Sequence, residues 1–276
     1  MTRKLTQTQL KWVAVLFMTV DHIGVYCRML PAIAPWYELF RILGRIAAPI
    51  FLYCMVESVR HTRSRRRLLA RLALWNAVTV AVFTAANLLV FLPQGISARS
   101  IPGMLMTFLY LTALIMLTDG VAAALRARNA RRMLRFGAIC AALAALFSVQ
   151  PHLADGIFAL TGSAAAADLF RALVPHPFAV AYTPLFLLLG LAWYYLRDRR
   201  AQIAIFLGFN ALCIAGVAME FTRMTGFFNP AQRWMFLAVP FLLLYNGERG
   251  RKTGVFFYLY YPLHILALSA LGLLPA

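Results

Sequence analysis

Two apolar segments of membrane-spanning length, each carrying ionisable residues, dominate the first 71 residues of the chain. The first reads KWVAVLFMTVDHIGVYC and contains Asp21 and His22. The second reads RILGRIAAPIFLYCMVES and contains Arg41 and Arg45. An ionisable side chain at the centre of a membrane helix costs about 2.5–3.5 kcal/mol on insertion scales. These residues are therefore candidates for function.

The composition is typical of a polytopic membrane protein. Of the 276 residues, 62% are apolar and 13% are charged, whereas a soluble domain has about 25% charged residues. We predict an all-α transmembrane helix bundle of nine or ten spans, forming a single domain over residues 1–276. A span needs about 20 apolar residues. The nine predicted spans are 10–29, 42–59, 72–92, 104–125, 136–150, 177–196, 201–220, 229–245 and 254–274.

Two segments leave the topology open. The segment 151–176 is less apolar and is interpreted as an outer loop, a re-entrant segment or a tenth span. The segment 229–245 contains Pro230 and Pro240, so it either crosses the membrane or dips and returns.

The basic residues predict the orientation. Arginine clusters follow the ends of apolar runs, at 60–71, 126–135, 197–200 and 249–252. The positive-inside rule then places the N-terminus in the cytoplasm of a bacterium, with the chain in the inner membrane, an uncleaved first helix and the C-terminus outside.

The distribution of the arginines also argues against nucleic-acid binding, despite a net charge of +18, because they do not form one face with aromatic residues between them. The four cysteines form no CxxC pair, and we expect no metal site.

The charged residues of the first two spans are predicted to meet. A short loop joins the spans, so they are antiparallel neighbours, and His22 and Arg45 reach a similar depth. Arg41 and Arg45 share a helix face, and Gly44 beside them allows another backbone to approach closely. Asp21 and His22 point about 100° apart, so Asp21 is expected to pair with an arginine, Arg45 first.

His22 has two interpretations. As a functional residue it is a general base, because imidazole titrates near neutral pH. As a structural residue it forms a hydrogen bond between helices, beside a buried Asp–Arg pair.

The last span carries a second polar cluster. It reads FFYLYYPLHILAL, and Tyr260, Tyr261 and His264 fall on one stripe. Pro262 lacks an N–H and opens the helix there. The cluster is interpreted either as part of a site or as hydrogen bonding between helices. The basic loop 60–71 is required by topology in any case, and its arginines also match phosphate geometry.

Two stretches resemble the TraX family of membrane proteins. One contains DHIG, RILGRIAAPIF and RHT, and the other reads RWMFLAVPFLLLYNGERG followed by FFYLYYPLHILAL. The family's founding role is N-terminal acetylation of conjugative pilin, with acetyl-CoA as the expected donor. The resemblance implies an acetyltransferase. The matching polar positions are Asp21, His22, Arg41, Arg45, His61 and His264.

A looser likeness is to integral-membrane sugar O-acyltransferases. These carry an arginine, ten residues and then a histidine on the first helix, and here ten residues lie between Lys11 and His22. The two residues lie about 16 Å apart along a helix axis. That spacing allows one end to meet a donor's phosphates and the other to meet an acceptor.

The sequence therefore predicts an acetyltransferase embedded in the lipid bilayer. Acetyl-CoA, the donor substrate, is expected near Lys11, His61 and Arg71, with His22 as general base. Arg45 with Arg41 stabilises the oxyanion, and His264 and Tyr261 complete the site. The acceptor is a peptide N-terminus or a glycan. The alternatives are a transporter or channel with a polar file that includes Asp119 and Glu220, and a non-catalytic assembly factor.

Overall fold

The described part of the chain is helical. The structure is a computed structural model that describes residues 4–91, 93, 103–174, 183–219 and 230–271. No β-strand occurs among these residues, which confirms the all-α prediction. The α-helices are α1 (Gln7–Tyr26), α2 (Tyr37–Gly44), α3 (Ala47–His61), α4 (Arg65–Ala86), α5 (Met104–Arg126), α6 (Ala130–Thr161), α7 (Ala164–Leu173), α8 (Thr183–Tyr195), α9 (Arg199–Ala218), α10 (Val239–Leu244) and α11 (Phe256–Leu271).

The chain divides into two compact units. The first comprises Met1–His61 and Ala192–Ala276, and the second comprises Thr62–Leu191. Of the residues predicted for the acetyltransferase site, only Arg71 lies in the second unit. The site is therefore built within the first unit, and the prediction of one domain over the whole chain stays a prediction.

Side-chain caps explain where several helices begin. The Thr6 side chain accepts a hydrogen bond from the Gln9 N–H, and the Gln9 side chain accepts one from the Thr6 N–H. This capping box starts α1. The side chains of Ser64, Asn129 and Asp198 cap α4, α6 and α9 in the same way, each accepting from a backbone N–H three residues on. The starts of these helices are thus determined by capping residues close to them in the sequence.

Within the described ranges, five helical segments are long and apolar enough to cross a membrane. They are Ala34–His61, Arg65–Phe91, Met104–Arg126, Ala130–Thr161 and Arg199–Ala218. The predicted count of nine is not confirmed. The other predicted spans correspond to α1, which is interrupted by charges, and to three shorter apolar helices, Pro184–Tyr195, Ala231–Leu244 and Phe256–Leu271. Residues 92, 177–182, 220, 229 and 272–274 of the predicted spans lie outside the described residues.

The predicted end of the fifth span at residue 150 is wrong. Helix α6 continues through Pro151 to Thr161, where Gly162 caps it in the left-handed conformation at φ 64°. Proline is tolerated inside membrane helices. After a short turn the chain forms α7. Residues 151–161 and 164–173 are therefore helical, and the topology of 151–176 stays a prediction.

The segment that follows residue 229 runs beside α3, from the residue level of Arg45 to that of Glu57. A 3₁₀ helix, Pro230–Ala238, leads directly into α10. At its start, Gln232 accepts from Arg45 at 3.4 Å, and just after its end the Tyr245 hydroxyl lies 3.4 Å from Glu57. Because a 3₁₀ helix rises about 2 Å per residue, these 15 residues extend over roughly 27 Å. A short stretch of sequence thereby covers nearly the thickness of a bilayer core.

Helices α1 and α11 run side by side in the same direction. Trp12 packs on Phe256 with ring centroids 4.9 Å apart, and further along the Cys27 thiol lies 3.8 Å from the Leu268 carbonyl. At the beginning of α1, the Leu5 N–H donates to the Leu244 carbonyl at 3.0 Å. The two helices therefore start at the same end of the unit, and their polar residues can meet.

Gly44 makes the close contact between α1 and α2 possible. A Cβ atom at this position would lie 2.2 Å from the Cβ of Asp21, far inside van der Waals contact. Both residues are buried. The absence of a side chain at Gly44 thus places Asp21 against the arginines of the facing segment, as the sequence predicts.

Gly44→Ala is expected to destabilise the protein by about 1–3 kcal/mol or to prevent folding, because neither backbone can yield freely. Thermal unfolding in detergent, followed by size-exclusion chromatography, measures the effect. Gly208→Ala is the matched control, since a Cβ at that exposed helical position meets nothing within 4 Å. Equal melting temperatures for the two variants would contradict the packing argument.

Candidate active site

One buried carboxylate holds two arginines. Asp21 Oδ1 accepts from Arg41 at 2.7 Å, and its Oδ2 accepts from Arg45 at 2.7 Å. Asp21 is 7% exposed and Arg45 is 6% exposed. The expected pairing of Asp21 with Arg45 is thus confirmed, and Arg41 joins it. Two positive charges share one negative charge, so the cluster is cationic.

The cluster extends toward α9 through the amide side chain of Gln232. Arg45 Nη1 lies 3.4 Å from the side-chain oxygen of Gln232, and Asn210 on α9 donates to the Gln232 carbonyl at 3.3 Å. Both amide residues are buried. Arg45 is thereby held between Asp21 and Gln232, whereas Arg41 has only Asp21 as its recorded acceptor among the described residues.

Two histidines meet on the neighbouring face of α1. His22 Nδ1 lies 2.7 Å from His264 Nε2 on α11, and the rings meet edge to edge, with centroids 4.9 Å apart and an interplanar angle of 21°. His264 Nδ1 lies 2.7 Å from the backbone carbonyl of Tyr260. Because Asp21 and His22 are consecutive, the carboxylate faces α2 while the imidazole faces α11. The two polar clusters therefore lie side by side.

Tyr260 supports the histidine pair. Its ring stacks on His264 with centroids 4.7 Å apart and an interplanar angle of 9°. Its hydroxyl lies 2.6 Å from Thr19 Oγ1 on α1. The ring of Tyr261, the tyrosine predicted for the site, lies 6.3 Å from that of His264 and packs against an apolar cluster that includes Val15. Tyr260 is thus closer to the histidines than the predicted Tyr261.

Lys11 lies far from the histidines, near the other end of α1. Its Nζ is 5.8 Å from the centroid of the Phe257 ring, and no carboxylate of the described residues pairs with it. Eleven residues of helix separate it from His22, which is about 16 Å. A largely buried ammonium group without an anionic partner is suited to binding an anion.

The structure does not bring His61 to the His22 cluster. His61 ends α3, about 24 Å along the helix axis from Arg45, with its side chain 62% exposed and 3.4 Å from Glu57. Gln7 near the start of α1 donates to Ser58 at 2.9 Å, so His61 and Lys11 are at the same end of the unit. Arg71 is exposed on α4 in the second unit.

A buried network at this end was not predicted. Arg60 pairs with Glu57 at 2.5 Å and donates to the carbonyl groups at the end of α8, including that of Trp193 and, at 2.7 Å, that of Leu196. A positive charge at a helix C-terminus compensates the helix dipole. The contacts of Arg60 with the end of α8 join segments more than 130 residues apart, so local spacing in the sequence did not indicate them.

Sequence reasoning also missed Thr19 and Gln232. Thr19 precedes His22 by three residues and so lies on the same helix face, a signal that was present in the spacing. Gln232 lies in a 3₁₀ helix, where α-helical spacing gives no indication of its direction. Among the described residues, no group of three or more His, Cys, Asp or Glu side chains is arranged to hold a metal ion.

Comparisons with known proteins agree with the sequence resemblance. A sequence model of the TraX family, described as "TraX protein", matches residues 6–272. The chain is 26% identical over 275 residues to the "Probable fimbrial assembly protein FimC, serogroup H1" of Dichelobacter nodosus, which covers 95% of this chain and 93% of that protein. No solved structure matches the chain. The family match thus includes the middle of the chain, which carried no recognisable motif.

Asp21→Asn is expected to lower the free energy of unfolding by about 3–5 kcal/mol, because a buried arginine pair loses its shared carboxylate. Denaturant unfolding in detergent micelles measures the loss. Asp155→Asn is the control, since Asp155 pairs with Arg171 at the surface with 71% of its side chain exposed, and such pairs contribute little. Similar losses for both variants would show that the Asp21 pairing does not stabilise the fold.

Proposed function

This chain belongs to the TraX family, and on that premise we propose that it is an integral-membrane acetyltransferase. It transfers the acetyl group of acetyl-CoA to an amine or hydroxyl of an acceptor in the bacterial envelope. The observation that carries the proposal is that two polar clusters lie side by side on apolar helices. One is the pair His22–His264, and the other is Asp21 with its two arginines. Ionisable groups at such depth are rarely retained for stability alone.

His22 supplies the general base. It is half-buried, and its ring is fixed by His264 on one side and by an edge contact with Tyr26, whose centroid is 5.8 Å away. A fixed imidazole within reach of an acceptor N–H or O–H removes the proton as the nucleophile attacks, which contributes about 10²–10⁴-fold to the rate.

The arginines supply the positive charge. Asp21 fixes Arg41 and Arg45 through ion pairs of 2.7 Å each. Arg41 uses one of its two terminal nitrogens on Asp21, and a guanidinium has five N–H donors. Its remaining donors are suited to the oxyanion that forms on the acetyl carbonyl, with Arg45 holding Asp21 in place.

The reaction follows acyl-transfer chemistry. The acceptor nitrogen or oxygen attacks the thioester carbonyl carbon while His22 takes its proton. The tetrahedral oxyanion then collapses, the carbon–sulfur bond breaks, and the proton passes from His22 to the departing thiolate. In these steps one acetyl group moves from sulfur to the acceptor, and one proton moves from the acceptor through His22 to the thiolate. No group is oxidised or reduced.

The donor is proposed to enter from the end of the unit that carries Lys11 and His61, which we take as the cytoplasmic end from the positive-inside rule. Lys11 has no carboxylate partner among the described residues, so it is suited to a phosphate of acetyl-CoA. Arg71 lies in the second unit, and its part in donor binding stays a prediction from the sequence. The length of α1 then separates the phosphates from the acetyl group.

The acceptor is proposed to be an envelope polymer or its subunit. The D. nodosus relative carries fimbrial assembly in its name, which favours the N-terminal amine of a pilin-like subunit over a glycan hydroxyl. For the rival transporter, Asp119 was predicted to extend the polar file. Asp119 instead pairs with Arg65 at 2.5 Å, with about a third of each side chain exposed, and Glu220 lies outside the described residues.

His22→Asn is expected to lower the rate of acetyl-CoA-dependent acetylation by about 10²–10⁴-fold, because the general base is lost. Labelled acetyl transfer to membrane fractions and release of free CoA by the purified protein measure the rate. His152→Asn, at an exposed position on α6, is the control and should match the wild type. Flux of a solute without acetyl-CoA consumption would favour the transporter instead.

Lys11→Gln is expected to raise the KM for acetyl-CoA about tenfold or more while kcat stays within a factor of two, because a phosphate contact is the same in ground and transition states. Steady-state kinetics with varied acetyl-CoA measure both constants. Lys4→Gln, at an exposed position, controls for the loss of one positive charge. A fall in kcat alone would remove Lys11 from donor binding.

A further inference from the structure

The hydrogen bonds of His264 restrict where its proton lies. Its Nδ1 is 2.7 Å from the Tyr260 carbonyl oxygen, which can only accept. Nδ1 of His264 therefore carries a hydrogen. In a neutral imidazole the other nitrogen, Nε2, then has a lone pair and accepts.

The hydrogen of His22 is located by its contact with His264. Its Nδ1 lies 2.7 Å from His264 Nε2, and one of these two nitrogens must donate. If His264 is neutral, the donor is His22 Nδ1. The Nε2 atom of His22 is then left with a lone pair, which is the state that a general base requires.

The surroundings favour the neutral form of His264. It is 9% exposed, and the one carboxylate recorded beside this cluster among the described residues, Asp21, is already shared by two arginines. A third positive charge here would lack a counter-ion in a low-dielectric setting. The alternative, a cationic His264 that donates to His22, would place the His22 proton on Nε2 and remove its basicity there.

The ring of His264 is itself held in place. The Thr19 hydroxyl donates to the Val15 carbonyl at 2.8 Å, which uses its one hydrogen. In the 2.6 Å contact with Tyr260, the tyrosine hydroxyl is consequently the donor. Tyr260 is thus anchored to α1, and its ring stacks on His264.

We propose that His264 is a positioning residue that holds His22 in the Nδ1–H tautomer, so that Nε2 of His22 is the basic atom. This assignment rests on the proposed acetyltransferase function and adds the atom that takes the proton and the residue that selects it. When Nε2 takes the acceptor proton, the resulting imidazolium donates a stronger, charge-assisted hydrogen bond to His264. His264 therefore stabilises the charged state without touching the substrate.

Nitrogen NMR of protein labelled only at histidine tests the tautomer directly. The chain has five histidines, and the spectrum of His22→Asn identifies the signals of His22. We expect His22 to carry its hydrogen on Nδ1 in the wild type and to become a mixture of tautomers in His264→Leu. A bare Nδ1 on His22 in the wild type would overturn the proposal.

Kinetics test the consequence. His264→Leu is expected to lower kcat by about 10²-fold or more with little change in the KM for acetyl-CoA, as when an orienting partner is lost. In His264→Gln the side-chain oxygen takes the place of Nε2 as acceptor, so we expect about tenfold recovery relative to leucine. Equal kcat values for these two variants, with melting temperatures like the wild type, would contradict a role through His22.

The two measurements separate the two proposals. If the wild type transfers no acetyl group while His22 is protonated on Nδ1, the proposed function fails and the tautomer assignment stands. If acetyl transfer occurs while His22 Nδ1 is bare, the function stands and the positioning role of His264 fails. If His264→Leu does not fold, the wild-type spectrum and His264→Gln still decide the question.

Discussion

The sharing of Asp21 between Arg41 and Arg45 is the interaction on which the arrangement of the first unit depends. Three charges in a buried setting are stable only when each finds its partner with good geometry. Gly44 allows α1 and α2 to approach until a side chain at that position would collide with Asp21. Arg45 lies between α2 and α3, where the helix is interrupted. The ion cluster therefore fixes both the spacing of two helices and the break between them.

The position of the histidine pair follows from that constraint. Since Asp21 is turned toward the arginines, the next residue, His22, is turned toward α11. Helix α11 runs parallel to α1, so His264 reaches the level of His22 and Tyr260 reaches that of Thr19. A charged cluster and an imidazole pair thus lie on adjacent faces of one helix, which matches the division between charge stabilisation and proton transfer in the proposed reaction.

The sequence predicted the charged partners of the site well and their supports poorly. Asp21, the arginines and Gly44 lie within 25 residues of one another, where helix spacing fixes depth and direction. Gln232 and Tyr260 reach the site from more than 180 residues away. The predicted span 136–150 stopped before Pro151, but the helix continues through it. Membrane helices tolerate a proline when the backbone groups that it leaves without a hydrogen bond find other partners.

The sequence by itself determined that the chain is helical, apolar and a member of the TraX family, because composition, caps and local motifs are properties of short stretches. It also determined which residues are costly to bury, since a charged residue within an apolar run can be identified from the sequence alone. Only the tertiary structure decided that His22 faces His264, that Tyr260 supports the pair and that Gln232 holds Arg45. These contacts depend on the direction in which distant helices pack, and helix packing is set by the whole bundle rather than by any one segment.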